Sequence, residues 1–141
     1  MFLGEYQHSL DAKGRIILPS RFRAQLEPGL VLTRGLDGCL WLMSLEDWNS
    51  FAERLTERVS LGDPRGRDIQ RFFFSGASED RPDKQGRISV PEPLRTHAAL
   101  ERDVTVMGAG NKIEIWNPQR WSQRRTEVEP AIEERIADLQ F

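Results

Sequence analysis

The sequence predicts an α+β fold assembled from two similar halves. Two observations carry that expectation. A nine-residue motif, D-x-x-G-R-I-x-[LV]-P, occurs at Asp11–Pro19 and again 72 residues later at Asp83–Pro91. Around each copy the same signals recur in the same order: a glycine, the charged turn, an apolar strand, a proline, a short basic segment, a strand–turn–strand, and a helix bearing tryptophan. Gly4 and Gly76, and Arg23 and Arg95, extend the match to seven identities in the twenty residues from 4 to 23. One extra residue in the second half then shifts the offset to 73, where Val31 meets Val104, Gly35 meets Gly108 and Trp48 meets Trp121. Such a period is far too long for a stacked solenoid. Halves near 70 residues bury little on their own, so they are expected to share a core with each other or with other subunits.

Each element has a local reason. Tyr6 to Leu10 reads as a strand entering the first turn, where Gly14 supplies the backbone freedom a tight reversal needs. Arg15–Leu18 is β-branched and apolar and reads as the return strand. Pro19 ends it, and Ser20–Leu26 suits a short helix. Leu30–Thr33 and Cys39–Met43 read as strands around the hairpin signal Gly35-Leu36-Asp37-Gly38. Ser44 caps a helix whose apolar face holds Leu45, Trp48, Ala52, Leu55 and Val59, with Phe51 beside them. Asp63-Pro64 starts a second helix with Ile69, Phe72 and Phe73 on its apolar side. The second half repeats the scheme with strands at Gly86–Val90, Val104–Gly108 and Lys112–Trp116 and a helix capped by Asn117-Pro118. Pro130 breaks or kinks that helix, and Ala131–Leu139 forms a last helix or stays loose. The expected division is therefore a first module over residues 5–47, a helical connector over 48–75, a second module over 76–119 and a helical acidic tail over 120–141.

Composition excludes several function classes. No apolar run approaches the roughly 20 residues of a membrane span, and the start Met1-Phe2-Leu3-Gly4-Glu5 lacks the pattern of a secretory signal. Cys39 stands alone, so no internal disulfide is expected and a reducing cytoplasm is the expected compartment. A net charge of -2 argues by itself against a nucleic-acid partner. Its distribution argues otherwise. Residues 11–23 set Lys13, Arg15, Arg21 and Arg23 against Asp11, and residues 81–95 set Arg81, Lys84, Arg87 and Arg95 against Asp83 and Glu92. Five carboxylates against Arg135 in the tail from Thr126 mask these basic patches in the total. Local potential decides where a polyanion docks.

The chemistry of the repeated turn lies in Asp11, Gly14 and Arg15, and in Asp83, Gly86 and Arg87. Carboxylate and guanidinium stand four residues apart around a glycine. They can form a local staple across the turn. They can equally form a braced, pre-aimed fork that suits phosphate oxygens or the O6/N7 edge of guanine. Two copies in two basic settings favour the fork, with Asp11 and Asp83 bracing and Lys13, Arg15, Lys84 and Arg87 contacting. Arg23 and Arg95 are either further DNA contacts or solvated helix charges. The four tryptophans, on strands and helix starts, read as packing residues rather than base-stacking platforms.

The start Met1-Phe2-Leu3-Gly4, the run Leu18-Pro19-x-Arg21-Phe22-Arg23, the segment Gly76-Ala77-Ser78-Glu79 and the two D-x-x-G-R turns together resemble the MraZ family of bacterial transcriptional regulators. The resemblance covers nearly the whole chain. It implies a SpoVT/AbrB-like fold, in which two swapped-hairpin modules pair into a β-barrel with a pseudo-twofold axis inside one chain and helices at the periphery. It implies a ring-shaped homo-oligomer in the cytoplasm, associated with the nucleoid. It implies binding to double-stranded DNA at short direct repeats upstream of the division and cell-wall gene cluster, the protein's own promoter included. The family's DNA-contacting arginine falls on Arg15 and on Arg87. The turns differ in one respect: Lys13 aligns with Gln85, while the second turn carries its lysine at Lys84.

An enzyme is the rival from another class. Asp11 and Asp83 each have an arginine four residues on, which favours permanent ionisation over proton shuttling. His8 and His97 occupy non-equivalent places, and neither a zinc motif nor a phosphate-loop motif is present. No catalytic residue, metal, cofactor or small-molecule substrate is expected. The remaining alternative is an oligomeric scaffold or antitoxin-like protein without specific DNA binding.

Overall fold

In the computed structural model, which describes residues 1–140, the two halves build one sheet in common. The first half supplies β1 (Glu5–Ser9), β2 (Arg15–Ile17), α1 (Ser20–Leu26), β3 (Leu30–Arg34) and β4 (Leu40–Ser44). Helices α2 (Leu45–Arg58) and α3 (Pro64–Gln70) and a π-turn at Arg71–Ser75 connect to the second half. There β5 (Ser78–Asp80), β6 (Arg87–Ser89), α4 (Glu92–His97), β7 (Asp103–Gly108) and β8 (Ile113–Trp116) follow in matching order. Helices α5 (Pro118–Val128) and α6 (Ile132–Ala137) close the chain, separated by a short 3-10 turn that contains Pro130. Phe141, the last residue of the expected tail, lies outside the described residues.

The expected starts of α2, α3 and α5 rest on side-chain caps. Ser44 Oγ accepts from the Asp47 N–H, the Asp63 side chain from Arg65 and the Asn117 side chain from Gln119 and Arg120. Each replaces a partner that the first helical turn lacks. The β3–β4 hairpin forms as read, its reversal made by a 3-10 turn with Asp37 at φ 67°.

Pairing between strands departs from the local reading. The return strand β2 does not pair with β1. It pairs antiparallel with β6, its counterpart in the other half, with Ile16 opposite Ile88. Strand β1 pairs with β7, and β5 with β3, so each half lends its first strand to the other. Strands β4 and β8 join in the middle with Trp41 opposite Glu114. The main sheet therefore runs β1-β7-β8-β4-β3-β5, antiparallel at every pairing, beside the two-stranded β2–β6 ribbon. The architecture is mixed α+β. Its hydrogen bonds leave β1 and β5 as edges rather than closing a barrel.

Equivalent residues face each other at Ile16/Ile88 and at the Trp41/Glu114 position, which places a pseudo-twofold axis through both pairs. One hydrophobic core straddles that axis. Ile16, Leu18, Phe22 and Leu32 enter it from the first half and Ile88, Val90, Leu94 and Val104 from the second, all essentially inaccessible to solvent. Burying a side chain of this size contributes about 1.5–3 kcal/mol. A smaller cluster holds Cys39, Met107 and Trp116, with Trp41 and Trp121 packed against it. Burial, with Glu114 and Asp37 nearby, pushes the Cys39 thiol up, so it sits in the protein as a small hydrophobe. Helix α2 and the π-turn make an aromatic layer in which Trp41 stacks on Phe73 and Phe51 meets Phe73 edge-on. No side chain of α2 is fully buried, and Ile69, read as part of the apolar side of α3, is exposed.

Candidate nucleic-acid interface

The two motif turns have the same construction. In the first, Asp11 Oδ1 accepts from the backbone N–H groups of Lys13 and Arg15, each at 2.9 Å. Its Oδ2 accepts from Arg15 Nε at 2.8 Å. In the second, Asp83 Oδ1 accepts from Gln85 and Arg87, each at 2.9 Å, and Oδ2 from Arg87 Nε at 2.7 Å. Backbone bonds from Asp11 N–H to Arg15 O and from Gly14 N–H to Asp11 O close the first loop, and their equivalents close the second. Gly14 at φ 73° and Gly86 at φ 78° occupy the left-handed region where other residues are strained.

These bonds favour the ionised carboxylates. The Arg15 N–H, followed by the Arg15 side chain and the Lys13 N–H, holds Asp11 below its usual range against partial desolvation. The Arg87 N–H leads the same set at Asp83 and lowers it to about 2. Both arginines are consequently fixed at Nε. Among the described residues, neither Arg15 nor Arg87 forms a protein hydrogen bond through Nη1 or Nη2.

The ribbon sets both forks on one surface. Side chains alternate across a strand, and Ile16 and Ile88 point into the core. Arg15, Ile17, Arg87 and Ser89 therefore share the opposite face, where Ile17 is 45% exposed. Arg15 stands opposite Ser89, and Arg87 opposite Ile17. The arginines are diagonal neighbours, a separation of roughly 7–8 Å. Lys13, Lys84 and Gln85 are exposed at the turn tips.

Arg23 and Arg95 lie elsewhere, on α1 and α4. Arg23 Nε donates to Leu18 O at 3.1 Å and Arg95 Nη1 to Val90 O at 2.7 Å. Each guanidinium also rests against the motif glycine of the opposite half, so that a Cβ on Gly86 would collide with Arg23 and one on Gly14 with Arg95. The sequence signal for this packing was the joint recurrence of Gly and Arg at one offset, which propensities do not interpret. Burial, then the Arg23 charge, lowers the pKa of His8 on β1. His97 contacts Gly35 O. Arg21 and Arg81, the other arginines of the two basic patches, are exposed, while between the halves Arg65 pairs with Asp63 and Arg71 with Asp68. Among the described residues, no group of three or more His, Cys, Asp or Glu side chains is placed to hold a metal ion, and no helix is long and apolar enough to cross a membrane.

The duplication visible in the turns is also how the chain matches known proteins. Residues 1–72 and residues 73–139 each match the family described as "MraZ protein, putative antitoxin-like". The chain belongs to the MraZ family. Among curated MraZ relatives, the "Transcriptional regulator MraZ" of Heliobacterium modesticaldum is 49% identical over 95% of this chain and 93% of its own length. The protein of that name from Kineococcus radiotolerans is 49% identical over 99% and 96% respectively, and that from Ligilactobacillus salivarius 47% over 92% and 90%. The two matched MraZ segments meet at residues 72 and 73, inside the π-turn between the halves.

Proposed function

We propose that this chain is a sequence-specific DNA-binding regulator of transcription whose β2–β6 ribbon enters the major groove, with Arg15 and Arg87 reading guanine edges. The observation that carries this reading is the pair of braced guanidinium forks on one outward face, each with Nη1 and Nη2 unengaged. The major groove admits a two-stranded β-ribbon, and an arginine that presents two parallel donors matches guanine O6 and N7. Lys13 and Lys84 at the turn tips are suited to flanking phosphates. The names of the relatives support regulation of transcription as the outcome.

In this reading residues 5–47 and 76–119 work as paired swapped-hairpin modules of SpoVT/AbrB type, joined by the connector 48–75, with the acidic segment 120–141 held away from DNA. The exchange of first strands supports it. The sites are short direct repeats in the protein's own promoter, ahead of the division and cell-wall genes. The working form is a ring-shaped homo-oligomer in the cytoplasm, associated with the nucleoid. Helix α2, with fourteen residues and no fully buried side chain, is the surface that supports oligomerisation. No catalysis, cofactor or small-molecule substrate enters the scheme.

The test is retention of duplex DNA by the full chain, comparing its own upstream region with a scrambled duplex of equal composition over a salt series. Selective retention that falls steeply with salt is expected, because each neutralised phosphate adds about 0.9 to the logarithmic slope. Equal, salt-insensitive retention of both duplexes overturns the proposal and leaves an oligomeric scaffold or antitoxin-like protein.

A further inference from the structure

Arg23 and Arg95 occupy pseudo-equivalent places that neither solvation nor charge alone accounts for. A solvated helix arginine extends into water. These two fold back, bond a backbone carbonyl and cover a glycine. The carbonyls they bond belong to Leu18 and Val90. The N–H groups of the same two residues donate across the pseudo-axis, Leu18 to Gly86 O and Val90 to Gly14 O, each at 2.9 Å. Each arginine thus grips the strand end that is tied to the opposite turn, and its guanidinium lies on that turn's glycine. Gly14 and Gly86 immediately precede Arg15 and Arg87 in the chain, so rotation at either glycine would swing the fork that follows.

We propose that Arg23 and Arg95 are positioning residues that act crosswise: Arg23 clamps the second turn and aims Arg87, while Arg95 clamps the first turn and aims Arg15. The clamp itself stands on the packing, and its effect on affinity rests on the DNA-binding reading. Glycine is required at these places twice over, for its left-handed backbone and for the space the opposing guanidinium fills. Arginine is required because a planar guanidinium can donate to the carbonyl and fill the space over the glycine at once, which the compact ammonium of lysine does not reproduce. Direct phosphate contact by Arg23 and Arg95 makes the opposite demand, since lysine serves there nearly as well.

The experiment uses the full chain in its native oligomer, with Arg23→Ala, Arg23→Lys, Arg95→Ala and Arg95→Lys. Amide hydrogen exchange is followed at both turns without DNA, and duplex affinity is measured across a salt series. Arg23→Ala is expected to speed exchange at Gln85–Arg87 by roughly tenfold while leaving Lys13–Arg15 near the parent rate, and Arg95→Ala to do the reverse. The lysine variants should follow the alanine variants, and their folding is checked by melting. In double-variant cycles Arg23→Ala should couple to Arg87→Ala by roughly threefold or more and add independently to Arg15→Ala, with the mirror pattern for Arg95. Exchange that rises equally in both turns, or in the turn of the same half, overturns the clamp. Lysine variants of parental affinity, beside alanine variants whose salt slope drops by about one phosphate, overturn it in favour of direct contact. If Arg15→Ala and Arg87→Ala bind DNA like the parent, the DNA reading fails, while the exchange pattern still decides the clamp.

Discussion

Arg15→Ala and Arg87→Ala separate a reading side chain from a local staple. In the folded chain each guanidinium commits Nε to its aspartate and keeps Nη1 and Nη2, so alanine removes one two-pronged contact per turn. A bidentate guanine contact is worth about 1–3 kcal/mol. With about 1.4 kcal/mol per factor of ten, each substitution weakens a single engagement by roughly 5- to 150-fold. Protomers of an oligomer that engage successive sites together multiply the loss. The turn itself survives the substitution, because Asp11 Oδ1 and Asp83 Oδ1 keep their backbone donors. The melting temperature and the oligomer should therefore stay close to those of the parent while affinity collapses. Fluorescence anisotropy on the upstream duplex, thermal melting and light scattering on the same samples measure all three. Asp11→Ala and Asp83→Ala should also weaken binding, through loss of the brace, although they remove negative charge. Tighter binding by the aspartate variants would refute bracing and leave simple electrostatics. Arginine variants that lose folding but keep their affinity per folded oligomer would show that the pair is only a staple.

Gly14→Ala and Gly86→Ala should each destabilise the chain by at least about 1–2 kcal/mol, the cost of a left-handed backbone for an L-residue; denaturant melts check this, and a neutral variant would contradict the collision with the opposing arginine. Asp83, held down first by the Arg87 N–H, should titrate near pH 2 by carboxyl NMR. A lowered folded-state pKa means that its contribution is full above the ordinary carboxylate range and is lost as pH falls through about 2; a midpoint at the usual 3.8 would count against the bonded geometry. Light scattering at micromolar concentration should give a multiple of the 16.3 kDa protomer, and a stable, cooperatively melting monomer would contradict oligomerisation. Cys39, buried and hydrogen-bonded to Leu36 O, should resist thiol reagents until the protein unfolds, so rapid native labelling would refute its place in the core.

Much of the fold was legible because it is written locally. Capping side chains announced α2, α3 and α5, and Gly35 to Gly38 announced the β3–β4 hairpin. The D-x-x-G-R turns disclosed their carboxylate and guanidinium by spacing alone. Strand partners were not legible from local pattern. Apolar Arg15–Leu18 looks like the return arm of a hairpin, yet its partner is 72 residues distant, because pairing Ile16 with Ile88 buries both isoleucines on the shared axis. Strand β5 had no apolar signal, being Ser78-Glu79-Asp80, and it forms through pairing with β3. The covering of Gly14 by Arg95 and of Gly86 by Arg23 escaped a one-dimensional reading for the same reason: contacts between halves leave no periodicity.

At a true twofold axis between identical subunits, a residue meets its own copy. A tryptophan there would face a tryptophan, and a glutamate would face a second negative charge. Covalent linkage of the halves removes that restriction at Trp41 and Glu114. The Trp41 indole N–H donates to Glu114 Oε2 at 3.1 Å, and Trp116 donates to Oε1 at 3.0 Å. Both carboxylate oxygens are engaged, and the donor to Oε2 is one that a self-paired position could not supply. The same freedom lets Ile17 stand where Ser89 stands in the other half, so the outward face of the ribbon has a head and a tail. In the proposed complex, a surface with polarity would distinguish the two directions along a duplex, and successive protomers carrying it would match sites that repeat in one orientation.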